Sequence, residues 1–96
     1  MRPAVALSQH RDAIRNAVQR HRASNPRVFG SVLHGTDTED SDLDLLVDPQ
    51  AGTSLFDLAG LTLELQELMG IRVDVRTPKD LSIRFCQQVL DEAQPV

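Results

Sequence analysis

A pair of aspartates inside an apolar run is the feature that most constrains this chain. Asp42 and Asp44 lie within DSDLDLLV, residues 40–47, and ten residues separate them from the Gly-Ser step at Gly30 and Ser31. Alternate residues of a β-strand point to the same face of a sheet, so the two carboxylates are predicted to stand side by side. Mg²⁺ binds one or two carboxylates together with phosphate oxygens, and a Gly-Ser turn can direct N–H groups and a hydroxyl at those phosphates. The spacing therefore predicts a strand that holds a metal-bound nucleotide.

Two other interpretations of these acids are a solvated loop and a calcium-binding loop. Acidic runs are most often solvated, but charge within 42–47 would interrupt a buried strand without benefit. An EF-hand loop with aspartates at positions 40, 42 and 44 requires Gly at the next position and Glu six residues later, where this chain has Leu45 and Ala51. The calcium loop is excluded, and the nucleotide site is favoured over the solvated loop.

Apolar periodicity and turn residues divide the rest of the chain into helices and strands. Ser8 is predicted to cap a first helix that runs to about Ala23, and Asn25-Pro26 is predicted to end it. The further predictions are strands at about 27–30, 42–47 and 71–76, a turn or single helical turn at 31–35, a helix at about 54–69 that ends at Gly70, and a last helix from about Pro78. The second helix carries Leu55, Leu58, Leu61, Leu65 and Leu68 at helical spacing, and the last helix is expected to turn Leu81, Phe85, Val89 and Leu90 inward.

The strand, helix and strand between residues 42 and 76 are expected to form a crossover unit with two parallel strands. Asp74 would then share a face of the third strand with Arg72 and Arg76, and could project beside Asp42 and Asp44. It could equally pair with a neighbouring arginine, as acids on a solvated strand face often do. Spacing alone leaves these two roles of Asp74 open.

Length and composition predict one small domain, residues 1–96. The chain has 41% hydrophobic residues, enough for a single core, and a net charge of −4, which excludes a broad basic surface for direct nucleic-acid binding. Cys86 is its single cysteine, so an internal disulfide cannot form and a reducing compartment, the cytoplasm, is expected. No stretch is long and apolar enough to predict a membrane span or a signal peptide.

The motif pair resembles the signature of the DNA polymerase β-like nucleotidyltransferase superfamily. The similarity is greatest to the minimal nucleotidyltransferases, the MntA-like antitoxins encoded beside HEPN-domain toxins. VFGSVLHG, DSDLDLLVD, SLFDLAGL, LMGIRVDV and TPKDL are all in the style of that family and extend the resemblance over most of residues 28–93. The resemblance implies an α/β (α+β) fold, a small mixed β-sheet packed with helices, and it favours Asp74 as a third catalytic carboxylate.

Three carboxylates around two Mg²⁺ ions suit nucleotidyl transfer, because two ions can stabilise both the entering and the departing oxygens at phosphorus. The hypothesis assigns Asp42 and Asp44 to both metals and Asp74 to the metal that lowers the pKa of the acceptor hydroxyl. Gly30 and Ser31 would hold the β- and γ-phosphates. The choice of ATP as substrate comes from the resemblance, since nothing in these residues reads adenine.

His34 departs from the family pattern, which usually has Arg or Lys before the glycine at position 35. A neutral histidine could donate one hydrogen bond to a phosphate but carries full charge only below a pKa near 6.5. It is also interpretable as an exposed loop residue. Lys79, Arg72 and Arg76 are further candidates for phosphate binding.

The resemblance implies a HEPN RNase toxin as partner, neutralised by transfer of AMP to a tyrosine. The chain itself contains no Tyr, so such a reaction would have to occur in trans. An alternative hypothesis is an antitoxin that only binds the toxin and blocks it sterically. The three acids favour the enzyme, because a binding module has no need to hold carboxylates together against their repulsion.

Overall fold

The computed structural model describes the backbone of all 96 residues and every side chain except those of residues 83 and 84. In chain order the elements are α1 (Pro3–Arg20), β1 (Ala23–Phe29), β2 (Leu43–Pro49), α2 (Leu55–Met69), β3 (Val73–Arg76), a 3₁₀ turn (Pro78–Asp80), α3 (Ile83–Glu92) and β4 (Gln94–Pro95). The strands form one mixed sheet in the order β3-β2-β1-β4. β2 and β3 are parallel, and β1 is antiparallel to both of its neighbours. The predicted fold class and the parallel crossover are confirmed.

The first helix begins earlier than predicted. Ser8 is not its cap, since α1 starts at Pro3, where the missing N–H of proline costs no hydrogen bond. It ends at Arg20 rather than near residue 23, and His10 departs from helical geometry with φ −126° and ψ 20°. The helix is therefore kinked close to the position where the sequence predicted its start.

A loop carboxylate caps this helix from a distance. Arg2, at the N-cap position, makes no side-chain capping bond. Instead the carboxylate of Asp37 accepts hydrogen bonds from the Ala4 N–H and the Arg2 guanidinium, both at 3.0 Å. The Asp37 side chain is only 1% exposed, and these donors, the Ala4 N–H foremost, hold the pKa of its carboxyl below the usual value. Asp37 thereby ties the segment between the Gly-Ser step and Asp42 to the start of α1.

The prediction that Asn25-Pro26 follows the first helix as its terminator was wrong. Both residues lie inside β1, where the register with β2 shifts between Ser24 and Arg27. Asn25 adopts a left-handed φ of 52°, and proline is tolerated at such an irregularity because it has no N–H to give to the ladder. The strand predicted at 27–30 is thus longer at its start.

Helix α2 follows its sequence signals closely. Ser54 and Asp57 form a reciprocal capping box, and Gly70 ends the helix in the left-handed conformation at φ 68°. Leu61, Leu65 and Met69 are buried in α2, whereas Leu55 and Leu68 at the ends of the predicted leucine stripe are 81% and 39% exposed. The sequence therefore predicted the bounds of this helix better than its buried face.

The last helix differs more from the prediction. It starts at Ile83, after the 3₁₀ turn, and Phe85 is 60% exposed rather than turned inward. Leu81, Val89 and Leu90 are half-buried. The two-residue β4, which pairs with β1, was not predicted because so short a strand has no periodicity.

Helices α1 and α2 pack against one face of the sheet. The core they share with the strands includes Ile14, Val18, Val28, Leu43, Leu45, Val47, Leu61 and Leu65. Since residues alternate along β2, the residues between these core positions lie on the opposite face. No helix in the described part of the chain is long and apolar enough to cross a membrane.

Replacing Asp37 with Ala is expected to lower the melting temperature by about 5 °C or more, because α1 loses its cap and the Ala4 N–H and the Arg2 guanidinium lose their acceptor. Thermal unfolding followed by circular dichroism checks this. Asp12→Ala is the matched control, since Asp12 is 95% exposed and contacts only Arg15 on the same helix. Equal melting temperatures for the two variants would contradict the capping role.

Candidate active site

The register of the two parallel strands brings two of the predicted acids side by side. Asp44 on β2 is the direct partner of Asp74 on β3. On its other side Asp44 is paired with Phe29, the last residue of β1. Leu43 and Leu45 are fully buried on the core face, so Asp44 lies on the face that α1 and α2 leave open. Asp42 immediately precedes β2, and all three predicted acids therefore gather at one end of the β2–β3 pair.

Gly30 allows the backbone to approach one of these carboxylates closely. It directly follows β1 with φ 76°, and a Cβ built there would lie 2.2 Å from Oδ2 of Asp44. Any other residue would have to push the Asp44 carboxylate aside, so the contact favours glycine as the backbone conformation does. The segment after it forms the predicted helical turn, in which the Gly30 carbonyl accepts from the His34 N–H at 3.2 Å and the Ser31 carbonyl accepts from the Thr36 N–H at 2.9 Å. The Gly-Ser turn thus lies against Asp44.

The ionised form of Asp44 is disfavoured by this arrangement. The pKa of its carboxyl is raised to about 6, first by burial and then by the negative charges of Asp74 and Asp42, against the opposing positive charge of Arg76. Both other acids are therefore near enough to repel it. A carboxylate in this position is stabilised by any cation that enters the site.

Two arginines pair with the outer acids. The Nε of Arg72 lies 2.9 Å from Oδ1 of Asp42, and the Nε of Arg76 lies 3.1 Å from Oδ2 of Asp74. The sequence left open whether Asp74 stands beside the other acids or pairs with an arginine, and in the structure it does both. In this arrangement the described side chains include no group of three or more His, Cys, Asp or Glu residues poised to hold a metal ion.

The donor set nevertheless fits a hard divalent cation. Asp44 and Asp74 on paired positions, with Asp42 two residues before Asp44, supply the carboxylate oxygens that Mg²⁺ prefers, and Asp44 is destabilised by its two neighbours.

His34 lies in the Gly-Ser turn but is directed to the last helix. Its Nε2 is 3.4 Å from Oε2 of Glu92, and its side chain is 55% exposed. This contact between the turn and the end of α3 had no signal in the sequence. Nor did the burial of Asp37, because an isolated acid in a polar loop is usually solvated.

The raised pKa of Asp44 predicts how stability depends on pH. A folded-state pKa of about 6 against an ordinary 3.8 means that the folded protein binds more protons between these values, so the free energy of unfolding should fall as pH rises from 4 to 6. Asp44→Asn should remove this dependence and melt higher than wild type at pH 7.5 in the absence of metal. Melting curves at pH 4.5 and 7.5 check it.

The control is Asp48→Asn on the same strand, where Asp48 is paired with Arg27 at 2.7 Å. That variant should gain no stability at pH 7.5. An equal gain in both variants would show that general charge reduction, rather than the acid cluster, is responsible.

Comparison with known proteins is consistent with this site. A protein adenylyltransferase MntA of Thermococcus cleftensis (strain DSM 27260 / KACC 17922 / CL1) is 40% identical over 65 residues, which cover 68% of this chain and 66% of that protein. A solved structure described as "Structure of putative minimal nucleotidyltransferase" superimposes with a TM-score of 0.87 at 45% identity and covers 97% of this chain and 95% of that one. A third match, at a sequence identity too low to indicate more than a shared fold, is the structure described as "Crystal structure of the toxin-antitoxin with AMP-PNP". It superimposes with a TM-score of 0.74 at 22% identity and covers 88% of this chain and 69% of that one.

The model of the nucleotidyltransferase domain matches residues 8–96, which include the Gly-Ser turn, all three acids and the crossover helix between them. The match extends over nearly all of the chain. On this evidence the chain belongs to the nucleotidyltransferase domain family and is a nucleotidyltransferase.

Proposed function

We propose that this protein is a Mg²⁺-dependent antitoxin that transfers AMP from ATP to a tyrosine of a HEPN RNase toxin and so neutralises it. The observation that carries the proposal is the pairing of Asp44 with Asp74 across the parallel strands, with Gly30 packed against Asp44. The protein adenylyltransferase among the relatives and the toxin–antitoxin complex among the similar structures support it.

Asp42, Asp44 and Asp74 would hold the divalent ions. Bound there, such ions neutralise charge on the phosphates and lower the pKa of the acceptor hydroxyl. The backbone N–H groups of the Gly-Ser turn and the Ser31 hydroxyl would bind the β- and γ-phosphates, which leaves the α-phosphorus open to attack. The acceptor oxygen then forms a bond to that phosphorus, the bond to the bridging oxygen of the β-phosphate breaks, pyrophosphate leaves, and the hydroxyl proton passes to solvent.

The acceptor would belong to another molecule. The chain contains no Tyr, so a tyrosine has to be supplied by a partner. The HEPN toxin as that partner, and the cytoplasm as the compartment where they meet, remain the predictions made from the sequence. The net charge of −4 favours a protein acceptor over direct nucleic-acid binding.

A binding-only antitoxin is the second candidate, and one observation favours it. Asp42 and Asp74 each pair with an arginine, as structural acids on a strand do. Asp44 argues against it, because a purely structural carboxylate would not be held where burial and two like charges destabilise it. We therefore prefer the enzyme.

Nucleotide binding is expected to require divalent metal. ATP with Mg²⁺ should raise the melting temperature, since a ligand that binds only the folded state stabilises it by mass action, whereas ATP with a chelator should add little. Differential scanning fluorimetry over a series of ATP concentrations checks this. Equal stabilisation with chelator present would rule out the metal assignment.

Asp74→Asn should separate catalysis from association. The change is nearly isosteric, so the variant should still bind a co-expressed HEPN partner but should leave its mass without an AMP-sized increment. Complex formation by size-exclusion chromatography, intact mass of the partner and its RNase activity are the three measurements. Asp48→Asn, on the same face but outside the acid cluster, should modify the partner as wild type does. If Asp74→Asn neutralises the partner fully without changing its mass, the binding-only antitoxin is the correct interpretation.

A further inference from the structure

Arg72 and Arg76 lie on either side of Asp74 in the chain, and each pairs with a different carboxylate of the proposed metal site. Arg72 contacts Asp42 and Arg76 contacts Asp74. Both pairs are open to solvent, with 71% and 46% of the arginine side chains exposed and 46% and 38% of their aspartates. Exposed ion pairs contribute little to stability, so these arginines can leave their partners at small cost.

A cation that uses Asp42 and Asp74 has to displace both guanidinium groups. If the metal ion binds without a nucleotide, the two displaced guanidinium groups have no carboxylate partner and are repelled by the positive charge of the metal. A triphosphate removes that penalty, because phosphate oxygens match the planar donor fork of a guanidinium better than a single carboxylate contact does.

We propose that Arg72 and Arg76 couple metal binding to nucleotide binding by exchanging a site carboxylate for a phosphate of the incoming nucleotide. The inference rests on the proposed function and names two further residues for it. Metal alone then binds weakly, because it competes with the arginines. Nucleotide alone also binds weakly, because the arginines stay on the carboxylates and the acids repel the phosphates.

Arg72 has a second contact that suits it to this exchange. Its Nη2 donates to the carbonyl of Asp40 at 2.7 Å, in addition to the contact of its Nε with Asp42. The guanidinium can therefore release the Asp42 carboxylate and stay hydrogen-bonded to the Asp40 carbonyl, just before β2 begins. Arg76 is held only by Asp74 among the described side chains.

Arg27 provides a matched control. It lies on β1 opposite Leu46, which is also paired with Arg76, so the two arginines flank the same position of β2. Its partner is Asp48, at 2.7 Å, which is not one of the three site acids, and its side chain is only 13% exposed. Loss of Arg27 changes the net charge as much as loss of Arg76 does, without freeing a site carboxylate.

The test measures metal and nucleotide affinities separately in wild type, Arg72→Gln, Arg76→Gln and Arg27→Gln. Mn²⁺ binding without nucleotide is followed by electron paramagnetic resonance, and binding of AMP-PNP with saturating Mg²⁺ by calorimetry. Each of Arg72→Gln and Arg76→Gln should bind Mn²⁺ alone about two- to fivefold more tightly, and AMP-PNP with Mg²⁺ more weakly by at least as much. Arg27→Gln should change both affinities less than twofold.

Three results would overturn the inference. Weaker binding of both Mn²⁺ and AMP-PNP in the Arg72 and Arg76 variants would assign the arginines a structural role. If Arg27→Gln also binds Mn²⁺ more tightly and AMP-PNP more weakly, by the same factors as the other two variants, the effect comes from net charge. If wild type binds no Mn²⁺, with or without AMP-PNP, the proposed metal-dependent function itself is wrong. The first two results leave that function intact and contradict only the role of the arginines.

Discussion

The parallel pairing of β2 with β3 is the constraint on which the rest of the structure depends. It sets Asp44 directly beside Asp74 and so creates a repulsion that the fold has to contain. The same register places Leu43 and Leu45 beside Val73 and Val75, which pack in or against the core under α1 and α2. One face of the strand pair thus supplies hydrophobic stabilisation, and the other face carries the acids. A one-residue slip would exchange the two faces, so the core and the site specify the register together.

Sequence patterns predicted the elements that are locally determined. The helix from about residue 54 to its end at Gly70 and the alternation around Asp42 and Asp44 are signals contained within a few residues, and each was found where expected. The association of Asp74 with Asp44 needed one further step, the rule that a strand–helix–strand passage joins parallel neighbours. The acids of the candidate site were therefore within reach of the sequence.

What the sequence did not predict depends on contacts between distant segments. Ser8 is a good local cap, but Asp37 caps the helix at Pro3 from a loop, and no local pattern reports that. Asn25-Pro26 is a strong break signal that the sheet absorbs as an irregularity in β1. Phe85 lies at an inward position by periodicity, yet it is 60% exposed. In each case a tertiary contact, or its lack, outweighed the local preference.

Charge compensation explains how three acids can stand together at one end of the β2–β3 pair. Two of the acids are neutralised by arginines at the surface, and the third, Asp44, is half-buried with a raised pKa and no arginine partner of its own among the described side chains. The Gly30 backbone lies directly against the Asp44 side chain, since a Cβ built on it would be 2.2 Å from Oδ2. The residue that receives least compensation is therefore the one packed against the Gly-Ser turn. Since positive charge is most stabilising where negative charge is least compensated, a cation bound at the proposed site would stabilise the fold most beside Asp44.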